Sequence, residues 1–357
     1  MSKAHQNGFQ QLFALFNDIF LATSGDLQST FQWFQEIDKK FGLFKQNYRL
    51  GDFIEDLHKK GLILRDPKDP NILLPSSKFE ISLRASAFHS LFGKLARGKS
   101  GKHVSKKSGK GDESNNELKP FEFGDSFAQV QATESIKNAF IRNRSLDLIL
   151  NESDLAVNET HKNVSCCTVL MIDISHSMVL YGEDRITPAK KVALALTQLI
   201  KLHYPNDQLH IVVFGDDAWS ISVSEIPYLE VGPYHTNTVE GLNLAISLLN
   251  KSRCPNKNIM MITDGKPSCI KRGKEYYKNP YGLDPYIIQR TLSMARKCRK
   301  LHIDITTFML TSDPYLVDFV ERFSKEANGK AMYTQLDNLG NQILVHYQNN
   351  RKKTSDR

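Results

Sequence analysis

The sequence predicts an α/β protein, a doubly wound and mostly parallel sheet preceded by a mainly helical N-terminal region. Three observations carry that prediction. From residue 164 onward, short apolar runs alternate with longer stretches of helical periodicity, as in strands joined by crossover helices. The first run, Val164–Asp173, is apolar until it ends in an acid, which suits a central strand buried on both faces. Before residue 96 that alternation is weak, and aromatic residues recur at helical spacing instead.

Composition sets the outer bounds. At 357 residues there is room for about two domains. A hydrophobic content of 40%, with 10% aromatics, is enough to fill a globular core. No apolar run reaches the ~18 residues of a membrane-spanning helix; the nearest, Leu12–Thr23, is interrupted by Asn17 and Asp18. The N-terminus also lacks the basic stretch and apolar core of a secretory signal. A soluble, cytoplasmic protein with no membrane insertion is therefore expected. The five cysteines have no metal-ligand spacing, and an odd number without a signal reads as reduced, buried thiols. Net charge is +8, with much of the excess in Arg97–Lys110 and Arg351–Arg357. Charge of that kind serves a tether to an acidic partner as well as it serves nucleic acid, so it decides nothing by itself.

Along the chain, residues 1–96 read as a mainly helical region. Phe13, Phe16 and Phe20 share a helix face, as do Phe53, Ile54 and Leu57 within Leu50–Lys60. Residues 61–64 and 71–74 read as two short strands around a Pro- and Asp-rich loop, and Phe79–Leu95 resumes helical spacing. That order is compatible with a winged-helix-like module. Residues 97–120 read as a basic flexible linker with almost nothing to bury. Residues 121–163, with a helix over Gln131–Arg142, read as an extension packing on the domain that follows.

That domain spans 164–350, before a basic tail, 351–357. Strands are expected at Val164–Asp173, Leu209–Phe214, Trp219–Val223 (an edge strand), Asn258–Thr263, Ile303–Met309 and Ala331–Tyr333. Helices are expected at Thr187–His203, Thr238–Leu249, Tyr286–Lys300, Tyr315–Ala327 and Leu336–Asn350.

Ligands of an open parallel sheet bind outside the carboxyl ends of its strands. Here those ends carry oxygen ligands: Asp173, Ser175 and Ser177 after the first strand, Thr236 before a helix, and Asp264 in Thr263-Asp264-Gly265. Carboxylates and hydroxyls without a nearby His or Cys are hard donors, suited to Mg²⁺, Mn²⁺ or Ca²⁺ and not to zinc or copper. The plain alternative, a capped turn, explains Asp173-x-Ser175-x-Ser177 alone, since Ser and Asp favour caps. It does not explain why Thr236 and Asp264 arrive at the same edge. A phosphorylated aspartate would need a second carboxylate where Ser175 stands. The stretch Gly93–Ser100 fits a phosphate-loop spacing but has neither the preceding strand nor the following helix. His176 reads as solvent-facing, Trp219 and Tyr234 as packing or rim residues, and Cys166 and Cys167 as core. No catalytic residue is identified.

These motifs resemble the metal-ion-dependent adhesion site of von Willebrand factor A domains. Asp173, Ser175 and Ser177 match its first motif, Thr236 its second and Asp264 its third. The resemblance implies a Rossmann-like sheet and an ion held by seryl and threonyl oxygens and water, with the carboxylates acting directly or through water. It also implies that an acidic side chain of a protein ligand completes the coordination. Further stretches, among them Phe121–Asp125, Tyr204–Asp207, Ile262–Pro267 and Asn338–Gly340, are similar to those of bacterial CoxE-type proteins and the D subunit of magnesium chelatase. Such proteins work beside AAA+ ATPases of the MoxR or chelatase-I kind. The resemblance thus implies a non-catalytic adaptor. A chelatase-like subunit assisting metal insertion, or a nucleic-acid-binding regulator using the N-terminal region and linker, are the alternatives.

Overall fold

The computed structural model describes residues 3–44, 48–69, 72–92, 113–122, 127, 130–143, 149–161, 165–264, 266–279, 281–310 and 313–355. They fall into two compact units, residues 1–100 with 166–347, and residues 101–165 with 348–357.

The first unit begins with α1 (Lys3–Ala22), α2 (Leu27–Phe41) and α3 (Leu50–Lys59). The Asp26 carboxylate starts α2 by accepting from the N–H groups of Gln28 and Ser29, and Gly42, at φ 63°, ends it. An antiparallel pair follows, β1 (Ile63–Arg65) with β2 (Leu73–Pro75), and then α4 (Ser77–Phe92). The strands start later than the expected 61 and 71. At the first, Gly61 and Leu62 are used to cap α3: Gly61 takes φ 68° and the Leu62 N–H donates to the Leu57 carbonyl.

Residues 1–96 do not stand as a separate module. Phe16, Phe20, Phe34, Phe53 and Phe79 pack on one another with ring centroids 4.9–6.4 Å apart. This cluster runs without a break into Leu170, Ile172 and Ile262 of the sheet described below. Helical periodicity reveals which side of a helix is apolar, not what it packs against.

The second unit contains β3 (Glu113–Pro120), α5 (Ala132–Asn143) and β4 (Ala156–His161), with β3 and β4 antiparallel. The linker expected over 97–120 therefore gives way to a strand at residue 113. Glu113–Pro120 lacks the apolar alternation of a strand, and its pairing with β4 prevails over that weak local signal. The rest of the expected linker and the whole of the Gly93–Ser100 look-alike lie outside the described residues, as do 123–126.

Back in the first unit come β5 (Cys166–Asp173), α6 (Ile186–His203), β6 (Gln208–Phe214), β7 (Ala218–Ile221) and α7 (Thr238–Lys251). They are followed by β8 (Asn256–Thr263), β9 (Cys269–Arg272), β10 (Glu275–Lys278), α8 (Pro285–Lys300), β11 (Ile303–Met309), α9 (Pro314–Ala327), β12 (Lys330–Tyr333) and α10 (Leu339–Ser355), whose residues from 348 onward are counted with the second unit. The main sheet has the order β12-β11-β8-β5-β6-β7. Its neighbours are parallel except β6 and the edge strand β7.

β5 is central and every residue in it is buried. Its side chains alternate between two cores, Leu170 and Ile172 on the side of α6 and the aromatic cluster, Val169 and Met171 on the side of α7 and α8. The close fit of α7 depends on Gly241, where a Cβ would lie 2.6 Å from the Met171 Cε. The last helix starts at Leu339, not Leu336, because 336–338 form a single 3₁₀ turn. The β9–β10 hairpin has no counterpart in the sequence reading; strands of four residues give too few alternations to show a period. Among the described residues, no helix is long and apolar enough to cross a membrane.

Candidate functional site

β5 and β8 run parallel in register, with Ile172 opposite Ile262, so Asp173 and the Thr263-Asp264 pair emerge at the same edge. Asp173 is wholly buried. Its Oδ1 accepts from the Ser175 N–H at 2.9 Å and its Oδ2 from the Thr263 hydroxyl at 2.6 Å. Ser175 and Ser177 bring their hydroxyls within 3.0 Å of each other. The loop that carries them is held by its own backbone. Ile174 N–H donates to the Phe214 carbonyl, Met178 N–H to the Ser175 carbonyl, and Arg185 N–H to the Met178 carbonyl.

Thr236 is buried on the loop that leads into α7. That loop meets the first one where His176 N–H donates to the Tyr234 carbonyl at 3.0 Å. It meets the β8–β9 segment at Ser268, whose hydroxyl accepts the Thr236 N–H at 3.1 Å. The Ser268 and Cys269 N–H groups in turn donate to the Thr236 carbonyl, at 3.0 and 3.2 Å. The β9–β10 hairpin is therefore a buttress. Its Lys271, Tyr276 and Lys278 side chains pair with Asp216 and Asp217 at the β6–β7 turn. The Tyr276 hydroxyl holds the Asp217 carboxyl below the ordinary carboxylate range. Asn237 ties the turn to α7, donating to the Asp216 carbonyl and accepting the Glu240 N–H as helix cap.

The electrostatics of the edge are those of two anions forced together. Burial, and after it the Asp264 carboxylate, raise the proton affinity of Asp173. Asp264 is 5% exposed, and its buried Oδ1 has no hydrogen-bond partner among the described residues. Its Oδ2 lies 3.9 Å from the Arg185 guanidinium. A buried polar atom left open costs free energy unless something outside the chain satisfies it. The donor set fits a hard divalent cation: two carboxylates, the hydroxyls of Ser175 and Ser177, and Thr236 on the adjoining loop. Among the described residues, no group of three or more His, Cys, Asp or Glu could hold a metal. A metal at this edge would thus depend on the hydroxyls.

The sequence-predicted residues are therefore brought to one edge, with Asp173, Ser175 and Ser177 joined by side-chain contacts, Asp264 facing Asp173, and Thr236 reached through backbone bonds. His176 is exposed. Trp219 and Tyr234 are partly exposed and meet edge to face, with centroids 6.5 Å apart. All five cysteines are buried, and none of them forms a disulfide. Two residues of the site escaped the sequence reading. Ser268 carried no signal beyond following a proline. Arg185 carried one: an arginine opening a helix opposes the helix dipole, which favours anions there.

The family match agrees with this architecture. Residues 166–348 match the family described as the Rv0959-like protein vWA domain, and residues 113–160 the Rv0959-like protein third domain. Rv0959 of Mycobacterium tuberculosis and Mb0984 of Mycobacterium bovis are each 27% identical over 266 residues, 72% of this chain and 39% of the relative. The chain thus spans about two fifths of the length of those relatives. Among solved structures, the conserved hypothetical protein BatB from Bacteroides thetaiotaomicron matches with a TM-score of 0.40 and 15% identity, covering 53% of this chain and 99% of that one. The vWF domain of the type V pili tip protein Mfa5 from Porphyromonas gingivalis matches with a TM-score of 0.38 and 12% identity, covering 51% and 96%. The chain belongs to the Rv0959-like family and carries its vWA domain on residues 166–348.

Proposed function

We propose that this protein is a non-catalytic adaptor that captures an acidic side chain of a protein partner through a divalent cation held at the carboxyl edge of the sheet. A vWA domain suggests a protein-interaction role; the metal dependence is the further step. The observation that carries it is the buried Asp264 Oδ1, which has no hydrogen-bond partner among the described residues and interacts with a second buried carboxyl group, Asp173. Asp173, Ser175, Ser177, Thr236 and Asp264 would hold the ion, Mg²⁺ by preference, with Mn²⁺ or Ca²⁺ as alternatives. Bound there, a dication supplies an electrophilic position for an anionic oxygen, and neutral hydroxyl ligands quench that character less than carboxylates do. The backbone bonds around Ser175, Thr236 and Ser268 fix the ligand oxygens before any partner arrives. No nucleophile–base pair stands at this edge among the described residues, which favours docking over turnover.

The resemblance of several motifs to CoxE-type and chelatase-D proteins supports a second element, that the adaptor works with a AAA+ ATPase of the MoxR or chelatase-I kind. Mn²⁺ titration of the full chain, followed by electron paramagnetic resonance, tests the central claim. One equivalent should bind and be displaced by Mg²⁺, and Asp173→Ala should weaken it about 100-fold. A wild-type chain that takes up no stoichiometric Mn²⁺ would remove the proposal.

A further inference from the structure

Arg185 is the group at this edge that the metal reading does not use. It is buried, 9% exposed, and its backbone is fixed by the bond to the Met178 carbonyl. Its Nε and Nη2 both point at Glu183 Oε2, at 3.2 and 2.9 Å. Its Nη1 lies 3.9 Å from Asp264 Oδ2. The side chain of Glu183 is 57% exposed, whereas that of Asp264 is 7% exposed. The guanidinium is therefore shared between a solvated anion outside the site and a buried anion inside it.

That placement runs against local preference. Arg185 opens α6, where the helix dipole repels a cation, and the capping is done by its neighbour Asp184, whose carboxylate accepts the Thr187 N–H at 3.0 Å. Arg185 makes no cap bond. What it does contact is the carboxylate that the site would offer to a metal ion.

We infer that Arg185 competes with the divalent cation for Asp264, with Glu183 setting how far the guanidinium is drawn away, so that the pair tunes how tightly the site holds its ion. The inference rests on the metal reading given above and deepens it. A fixed positive charge beside the ion weakens cation binding and keeps the loaded edge electropositive toward a partner's carboxylate. The site gives up ion affinity and gains attraction for an anionic ligand. Glu183, on the surface, is the counter-charge by which that balance is adjusted.

The test is Mn²⁺ affinity of the full chain by equilibrium titration, in wild type, Arg185→Gln, Glu183→Gln and the double variant. Arg185→Gln should bind Mn²⁺ about fivefold more tightly, because the competing charge is gone. Glu183→Gln should bind about threefold more weakly, because the guanidinium then turns wholly to Asp264. In the double variant the Glu183 effect should shrink to less than about twofold, since it acts through Arg185. Glu183 is exposed, so its variant keeps the fold and the inference stays testable if Arg185→Gln does not. If Arg185→Gln or Glu183→Gln shifts affinity the other way or leaves it unchanged, Arg185 is a support for Asp264 and the inference falls. If the wild type binds no Mn²⁺ at all, the metal reading itself fails, which is a different result.

Discussion

Lys190 and the Asp173–Asp264 pair are both buried charges beside α6, and they have been treated in opposite ways. The Lys190 ammonium has three donors and all three are used: the Leu21 carbonyl at 3.0 Å, the Ser24 hydroxyl at 3.2 Å and the Pro227 carbonyl at 3.3 Å. It ties the turn after α1 to the segment after β7 through the first third of α6. At the carboxyl edge, two buried carboxyl groups interact, the proton affinity of Asp173 is raised, and one Asp264 oxygen is left open among the described residues. The difference separates a joint from a site. Where the chain satisfies a buried charge completely, the charge holds elements together; on the proposed reading, an open carboxylate oxygen leaves a place for an ion from outside the chain.

The comparison can be broken first at Lys190. Lys190→Ala removes the donor from two buried carbonyls and leaves a hole the length of a lysine stem, so it should cost about 3 kcal/mol. Urea unfolding measures this directly. A loss below about 1 kcal/mol would mean that the N-terminal helices are held by the aromatic cluster alone and that Lys190 is no joint.

A smaller effect comes from pH. Burial pushes the Lys190 amine down to about 8, against 10.5 for an ordinary lysine. Between those values the unfolded chain binds more protons than the folded one, so stability contributed by this residue rises with pH across the window and is absent below it. The unfolding free energy of wild type minus that of Lys190→Met should therefore grow from pH 8 to pH 10, by about 2 kcal/mol. A flat difference would place the amine's titration outside the window and its charge in contact with solvent.

Legibility in the sequence followed the same division. The strand β5 was readable because a central parallel strand buried on both faces is a nearly continuous apolar run, and β6, β8 and β11 were readable from shorter apolar stretches set between crossover helices. Asp173, Ser175, Ser177, Thr236 and Asp264 were readable because strand order places their loops at one edge once the sheet is known to be parallel. What could not be read depended on pairing across long sequence distances. β3 has no apolar alternation and exists through β4. The aromatic face of α1 announced a core without showing that the core is shared with Leu170 and Ile172 of the sheet. Lys190 sits among Pro188, Ala189 and Lys191 with nothing to mark it as buried, since its three acceptors come from residues 21, 24 and 227. Arg185 was visible only as a charge of the wrong sign for its helix position.

The last test reverses the sign of the first. Asp264→Asn takes one charge from the facing pair, leaves Arg185 its bonds to Glu183, and gives Asp173 a neutral neighbour. In EDTA the substitution should therefore stabilise the fold by about 1 kcal/mol, the gain expected when a group kept for binding and not for stability is removed. In Mn²⁺ the same variant should lose the stabilisation that the wild type gains from the ion. Paired thermal melts, each with EDTA and with Mn²⁺, read both effects on one sample. If Asp264→Asn instead costs 1 kcal/mol or more (roughly the worth of a lost charged hydrogen bond), Asp264 is the structural counter-ion of Arg185. The carboxyl edge would then be a second joint of the Lys190 kind, closed by the chain itself, and the contrast between the two buried charges would be one of degree.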